Sequence, residues 1–481
     1  MPTKSHFKTL VPGASGNAGT LEVIASFDGS AIGSVELADA ATVETALSTA
    51  AALHADPSKR LPAWERIAIL RKAAELLVDR AEVFALESAR EGGKPLIDSR
   101  AEIARAIDGI DGCIEELRTQ HGDEIPMGLN PASANRLAFS SHEPIGPVLA
   151  YSAFNHPVNL IIHQVFPAIA TGCPVIVKPA SDTPLSCFRL VELLHEAGLP
   201  AEWCQAIAIK DRDLATATVG DSRVAFFSFI GSGKVGWMLR SKLAPGTRCA
   251  LEHGGAAPVV MDTTVDLATA ATPLAKGAFY HAGQVCVSVQ RIFAPGSVIP
   301  DLADRLAAEA AKMKVGNPTL EEIAIGPLIR PKEVDRVEKW VEEAIAAGAI
   351  LRSGGKRISE TCFEPTILID PPADSHVSKQ EIFGPVVCLY TSDSMQDSIR
   401  AANDVPFSFQ ASVFSRDMDT ILKAYRELNA LTVMANDHTA FRVDWMPFGG
   451  LRESGLGVGG IPHTMEDMQV KKSLILRSPS V

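Results

Sequence analysis

The eight cysteines, at 113, 173, 187, 204, 249, 286, 362 and 388, form no CxxC pair and have no His-rich spacing beside them. Neither a zinc site nor a disulfide framework is expected. Free cysteine is among the most buried residue types, so each thiol is read first as core filling. Clusters of Lys and Arg are missing too, and the formal net charge is −12. That balance works against nucleic-acid binding, which needs grouped cations for the phosphates. No run of 18 or more apolar residues could span a bilayer, and the first eight residues, MPTKSHFK, hold no apolar signal segment. The expectation is a cytoplasmic protein without membrane contact. Internal repeats and low-complexity linkers are absent as well. What remains is 481 residues, 46% hydrophobic and 21% charged. This is the composition of a globular enzyme, and the length exceeds one ordinary core, so two or three domains are expected.

From about residue 40 to 120, segments such as Trp64 to Ala89 carry apolar residues at helical spacing with charges between them, which predicts amphipathic helices. Residues 122–142 are instead rich in Gly, Pro, Asn and Ser and read as an excursion or hairpin. Apolar runs at Gly146 to Tyr151 and Pro174 to Val177 flank a helical pattern at Leu160 to Ala170, and Pro184 to Ala197 reads as the next helix. This βαβα alternation predicts an α/β fold with a parallel sheet and a ligand site at the carboxyl ends of its strands. A second α/β stretch covers roughly 252–435, and Val470 to Leu476 forms an apolar, basic-flanked tail.

Ala225 to Ile230 reads as a buried strand running into Gly231-Ser-Gly-Lys-Val-Gly236, a G-x-G-x-x-G loop before a helix. Such a loop turns tightly and offers helix N–H groups to a pyrophosphate. A dinucleotide fingerprint also wants an acid some 20 residues on, for a ribose hydroxyl, and Glu252 lies 21 beyond Gly231. Glu252 also opens Glu252-His-Gly-Gly255, which suits a carboxylate facing a catalytic cleft equally well.

Thirty-four residues after Glu252 stands Phe279-Tyr-His-Ala-Gly-Gln-Val-Cys286. With Glu143-Pro-Ile-Gly-Pro147, Phe154-Asn-His-Pro157, Lys178-Pro-Ala180, Phe229-Ile-Gly-Ser232, Leu251-Glu-His-Gly-Gly255, Glu381-Ile-Phe-Gly-Pro385 and Pro447-Phe-Gly-Gly450, the chain resembles the aldehyde dehydrogenase superfamily over nearly its whole length. The resemblance implies that fold: a Rossmann-like dinucleotide-binding domain (1–121 and 143–251), an α/β catalytic domain (252–445) and a small β oligomerisation segment (122–142 and 464–481), pairing into a homodimer or homotetramer. It implies Cys286 as nucleophile, because hydride leaves readily only from a tetrahedral carbon and a thiolate can later depart from the thioester. Asn155 and the Cys286 N–H become the oxyanion donors, and Glu252 the base for thioester hydrolysis. Lys178 joins the catalytic set and lies along the adenosine ribose. NADP or NAD is then held by Phe154, Lys178, Ser181, Gly231 and Ser232, with Glu381 on the nicotinamide ribose and Phe383 near the ring. Ser181 in place of an acid leans towards NADP; its alternative role is to cap the Pro184 helix.

Departures from the family pattern include His253 for a usual Leu, Val458-Gly459 for a frequent Arg-Glu, and Lys210-Asp211 where a glycine turn often borders adenine. At the substrate mouth, a helix beginning at Asn155 would set His156, Asn159 and His163 on one polar face, with Arg105, Val285 and Phe441-Arg-Val-Asp444 nearby. A small polar or anionic aldehyde is the expected substrate. A CoA-acylating enzyme or a catalytically silent homologue are the alternatives; no metal is expected.

Overall fold

Residues 5–14 and 16–480 are described by a computed structural model. Four helices, Ala40–Ala55, Ala63–Asp79, Ala81–Gly92 and Leu96–Thr119, fill the stretch whose periodicity predicted them. They precede a six-stranded sheet ordered Gly455–Leu456, Arg248–Glu252, Phe226–Ile230, Val148–Tyr151, Val175–Lys178, Cys204–Ala206. All its neighbours pair in parallel except the first two. Successive strand side chains point to opposite faces. Val148, Ala150, Val175 and Val177 accordingly join one core, while Leu149, Tyr151, Ile176 and Phe227 join another. Burial on both faces explains why these strands read as continuous apolar runs.

From the central strand Val148–Tyr151 the chain moves outward through Val175–Lys178, then returns on the other side at Phe226–Ile230. The order reverses there, and an α/β sheet opens its ligand crevice at the carboxyl ends flanking such a reversal. The second α/β unit is a seven-stranded sheet from Ile350–Ser353 to Thr432–Ala435, parallel save for its Ile350–Ser353 edge. The excursion and the tail meet in a third sheet, where Arg136–Pro144 lies antiparallel to Gln469–Arg477 over nine residue pairs and Glu124–Ile125 adds a short strand. Among the described residues no helix is long and apolar enough to cross a membrane.

Candidate active site

Between the two α/β units lies a cavity of about 950 Å³, reached by the ends of Val148–Tyr151 and Phe226–Ile230. Cys286, Glu252 and Asn155 all line it. Cys286 enters from a strained loop: His281 and Ala282 take positive φ, and Gly283 follows at φ +69°, where a Cβ would lie 2.1 Å from the Gly384 carbonyl oxygen. Only glycine tolerates that approach, and the reversal carries the thiol inward. Of the eight cysteines, Cys286 and Cys249 alone are partly exposed, and Cys286 is the one on the cavity wall.

Asn155 is held by Gln284, whose backbone carbonyl accepts from the Asn155 amide at 2.9 Å. Gln284 is itself tied down, donating to the Pro327 carbonyl and accepting from Ile329 N. One amide hydrogen of Asn155 thus fixes the side chain and the second remains for a ligand. The helix expected to begin at Asn155 begins at Asn159 instead, with 155–158 forming the turn before it. Its first N–H groups are capped from outside: Glu102 Oε1 accepts from Val158 N and Asn159 N at 2.9 Å each, while its Oε2 accepts from Lys94 at 2.6 Å. Pro157 and that borrowed cap delay the start.

Glu252 ends its strand facing Gly459, where an added Cβ would stand 3.9 Å from Oε2. Burial raises its carboxyl above the usual range, against the pull of Arg442 and Arg105. Burial, then the Glu252 charge, also pushes the Cys286 thiol well above its ordinary value, and Arg442 opposes this. The free protein therefore stores Cys286 as a thiol, and a proton acceptor must convert it.

At the far wall Arg105 grips Asp444 with two bonds, 2.6 and 3.2 Å. Asp444 also accepts from His163 Nε2 at 2.6 Å and sits 3.6 Å from Arg442 Nε. Burial alone would raise the Asp444 carboxyl, but His163 and the two arginines outweigh it and hold the group well below the carboxylate range. Arg442 lies over the Phe448 ring at 3.6 Å and donates to His163 Nδ1. Burial, with Arg442 next to it, depresses His163 to about 4, so the ring is neutral. His156 pairs with the Tyr280 hydroxyl at 2.6 Å. Arg105, His156, Asn159 and Val285 line the cavity; His163 does not, since one turn further along the helix its ring turns onto Asp444. Sequence reasoning reached Arg442 only as part of a four-residue motif, and missed Tyr280, Gln284 and Glu102 as site residues. An Arg two positions before an acid in a Pro-terminated loop was the available signal for the first.

At the opposite end Gly231 and Ser232 open the helix Gly233–Arg240, and the Ser232 hydroxyl makes no capping bond. Phe154 and Phe383 meet edge to face, ring centroids 5.9 Å apart. Glu381 bonds Gly255 N and is pushed to about 7 by burial. A Cβ on Gly254 would fall 1.6 Å from its Oε1, which explains the first of the two glycines after His253. Ser181 lines the cavity beside Asp182, whose carboxylate is taken by Arg330. Ser181 does not cap the next helix: Thr183 holds that position, and Glu91 accepts from the N–H groups of Leu185 and Ser186. Lys178 is off the wall, its ammonium 5.2 Å from the Tyr151 ring centre and lowered to about 8 by burial. Lys210 and Asp211 line a separate cavity, where Asp211 caps the helix Arg212–Val219.

The aldehyde dehydrogenase family model matches residues 14–474. The chain belongs to the aldehyde dehydrogenase family. It is 38% identical over 413 residues to 3-sulfolactaldehyde dehydrogenase of Priestia aryabhattai, covering 86% of each chain. It is 34% identical to glutarate-semialdehyde dehydrogenase of Pseudomonas putida, covering 94% of this chain and 93% of that one. Its fold superposes on aldehyde dehydrogenase 21 of Physcomitrella patens, solved with succinate, with a TM-score of 0.94, 33% identity and 99% of both chains. For glyceraldehyde-3-phosphate dehydrogenase of Methanocaldococcus jannaschii, solved with NADP, the TM-score is 0.91 at 32% identity, over 97% of this chain and 100% of that one. The family's dinucleotide fits the cradle described above. Loop glycines, an uncapped Ser232 at a helix N-terminus and a buried carboxyl on the Gly254–Gly255 backbone are the donors and acceptors that a pyrophosphate and a ribose need.

Proposed function

We propose that this aldehyde dehydrogenase oxidises a small aldehyde carrying a single negative charge to its carboxylic acid, using NAD(P)+. The charge balance at the far wall carries the reading. Arg105 and Arg442 bring two positive charges and Asp444 one negative, while His163 is neutral. One net positive charge suits a carboxylate or sulfonate better than a phosphate dianion. The relatives that act on sulfolactaldehyde and glutarate semialdehyde, and the one solved with succinate, support it.

In this reading Cys286 Sγ attacks the aldehyde carbon once its proton has passed to Glu252. The oxygen that gains charge is held by the free Asn155 N–H and the Cys286 backbone N–H. When bound, NAD(P)+ would supply the hydride acceptor that turns the tetrahedral adduct into a thioester; Gly231, Ser232, Ser181 and Phe154 would hold it, Glu381 would accept from a ribose hydroxyl and Phe383 would pack near the ring. Glu252 releases the thiol's proton to solvent and, again a carboxylate, removes a proton from water; the water oxygen bonds the acyl carbon, and the carbon–sulfur bond breaks to free the acid and return Cys286 as a thiolate. A base kept beside the thiol favours hydrolysis over transfer to coenzyme A. The dinucleotide-binding domain is assigned to 1–121 and 143–251, the catalytic domain to 252–445, and the third sheet, from 122–142 and 464–481, to the joining of subunits.

The test is a panel of succinic, glutaric and sulfonated semialdehydes against neutral and phosphorylated aldehydes, each with both cofactors. The monoanions should give the highest kcat/KM and free acid as product; a preference for neutral aldehydes, or acyl-CoA formation, would refute the reading. With Ser181 beside an Asp182 already neutralised by Arg330, NADP should be the better cofactor. Ser181→Glu should then reverse the preference.

A further inference from the structure

His253 is a titratable side chain for which the chemistry above has no use, and it is buried, with 3% of its surface exposed. Its ring stands directly under the glycine loop. Nδ1 lies 3.0 Å from the Gly231 carbonyl oxygen. A carbonyl can only accept, so Nδ1 carries the proton and Nε2 a lone pair. That Nε2 is buried without a hydrogen-bond partner. An unmatched buried acceptor destabilises the fold, so the bond made by Nδ1 must serve some purpose that an apolar side chain would not.

The surroundings show what the ring holds. Phe229 and Trp237 clamp it, each with centroids 5.7 Å away and near edge-on. A Cβ on Gly236 would lie 2.0 Å from the ring, so the loop's third glycine is the space the ring occupies. Gly231 is fastened at both backbone groups: its N–H donates to the Glu252 carbonyl at 3.0 Å, and its carbonyl accepts from His253. His253 N in turn donates to the Ser454 carbonyl at 3.0 Å, and the Ser454 hydroxyl accepts from Ser408 N. The segment that carries Glu252 and the loop that carries Gly231 and Ser232 thus share one anchor.

We propose that His253 is a positioning residue: its Nδ1–H fixes the Gly231 carbonyl and so sets the loop in the geometry that receives the dinucleotide pyrophosphate. A loop pinned before the ligand arrives loses less freedom on binding. This rests on the assignment of Gly231 and Ser232 as pyrophosphate contacts. Removing the bond should therefore weaken cofactor binding and leave the aldehyde end untouched.

The experiment measures cofactor Kd by protein fluorescence, and kcat and both KM values, for the wild type and for His253→Leu, His253→Asn and His253→Gln. Asn places an amide donor near the Nδ1 position, whereas Gln reaches towards Nε2. Leu and Gln should raise the cofactor Kd five- to tenfold, with the loss falling on cofactor KM rather than on kcat or aldehyde KM. Asn should return Kd to within twofold of the wild type. If Leu fails to fold, the contrast between Asn and Gln decides alone. Equal binding by all four proteins, or equal weakening by Asn and Gln, overturns the proposal. A wild type that binds no dinucleotide would instead overturn the cofactor assignment itself.

Discussion

Arg442 touches both halves of the proposed chemistry, since its charge opposes the upward shifts of Glu252 and Cys286 while the same guanidinium faces the cavity. Arg442→Met should raise KM at least tenfold for monoanionic semialdehydes, with the rise confined to charged substrates when propionaldehyde is run beside them. It should also slow alkylation of Cys286 by iodoacetamide at pH 8, because losing the neighbouring cation disfavours the thiolate. Equal KM changes for charged and neutral aldehydes would remove the arginine from substrate recognition. Glu252 sets the pH dependence. A base works only when deprotonated, and its carboxyl is raised, so the acid limb of kcat should climb through a pH above the ordinary glutamate value of about 4.3. Glu252→Gln should lose that limb and at least about 100-fold in turnover, in keeping with what a general base contributes. An unchanged profile in the variant would assign the limb to another group.

Elements place these residues, and here the sequence was legible to different depths. The strand before Gly231 and the helices from residue 40 to 119 were readable because apolar patterns and turn residues act locally, whereas the tail read only as an apolar, basic-flanked segment whose place in a sheet came from the resemblance. Cys286, Glu252 and Asn155 were readable as a resemblance and do share one cavity. The late start at Asn159 was not, because its cap comes from Glu102, 57 residues away in sequence. Nor was the turning of His163 away from the cavity, which follows from a bond to Asp444 across 281 residues. Long-range partners leave no periodic trace in a sequence. The Lys94–Glu102 pair is 1% exposed on both sides, so breaking it should be costly, about 3–5 kcal/mol. Glu102→Gln should lower the melting temperature and, by loosening the turn that carries Asn155, lower kcat. Adding Lys94→Met removes the stranded charge and should recover part of the melting temperature. A double variant no more stable than Glu102→Gln alone would show that the cap, rather than the ion pair, supplies the stability.

At the scale of the whole molecule, the third sheet is unfinished. Gln469–Arg477 is an edge strand, paired on one side with Arg136–Pro144 and on the other with no strand among the described residues. Leu474 stands opposite Phe139 and Leu476 opposite Leu137, which puts four apolar side chains on one face of the sheet, 37–48% exposed. A long edge with an apolar face invites pairing, and natural proteins manage such an edge by covering it. A second copy of the chain is the natural cover, since a two-fold axis lets identical edges complete each other. Light scattering after size exclusion should therefore give an oligomer for the wild type and a smaller species for Leu474→Lys with Phe139→Lys, whose charges would be forced into the joint. The active-site cavity is built from the two α/β units of one chain, so the smaller species should retain cofactor binding even as its thermal stability falls. A double variant of unchanged mass would move the subunit contact elsewhere, and a monomeric wild type would leave this apolar face without a cover.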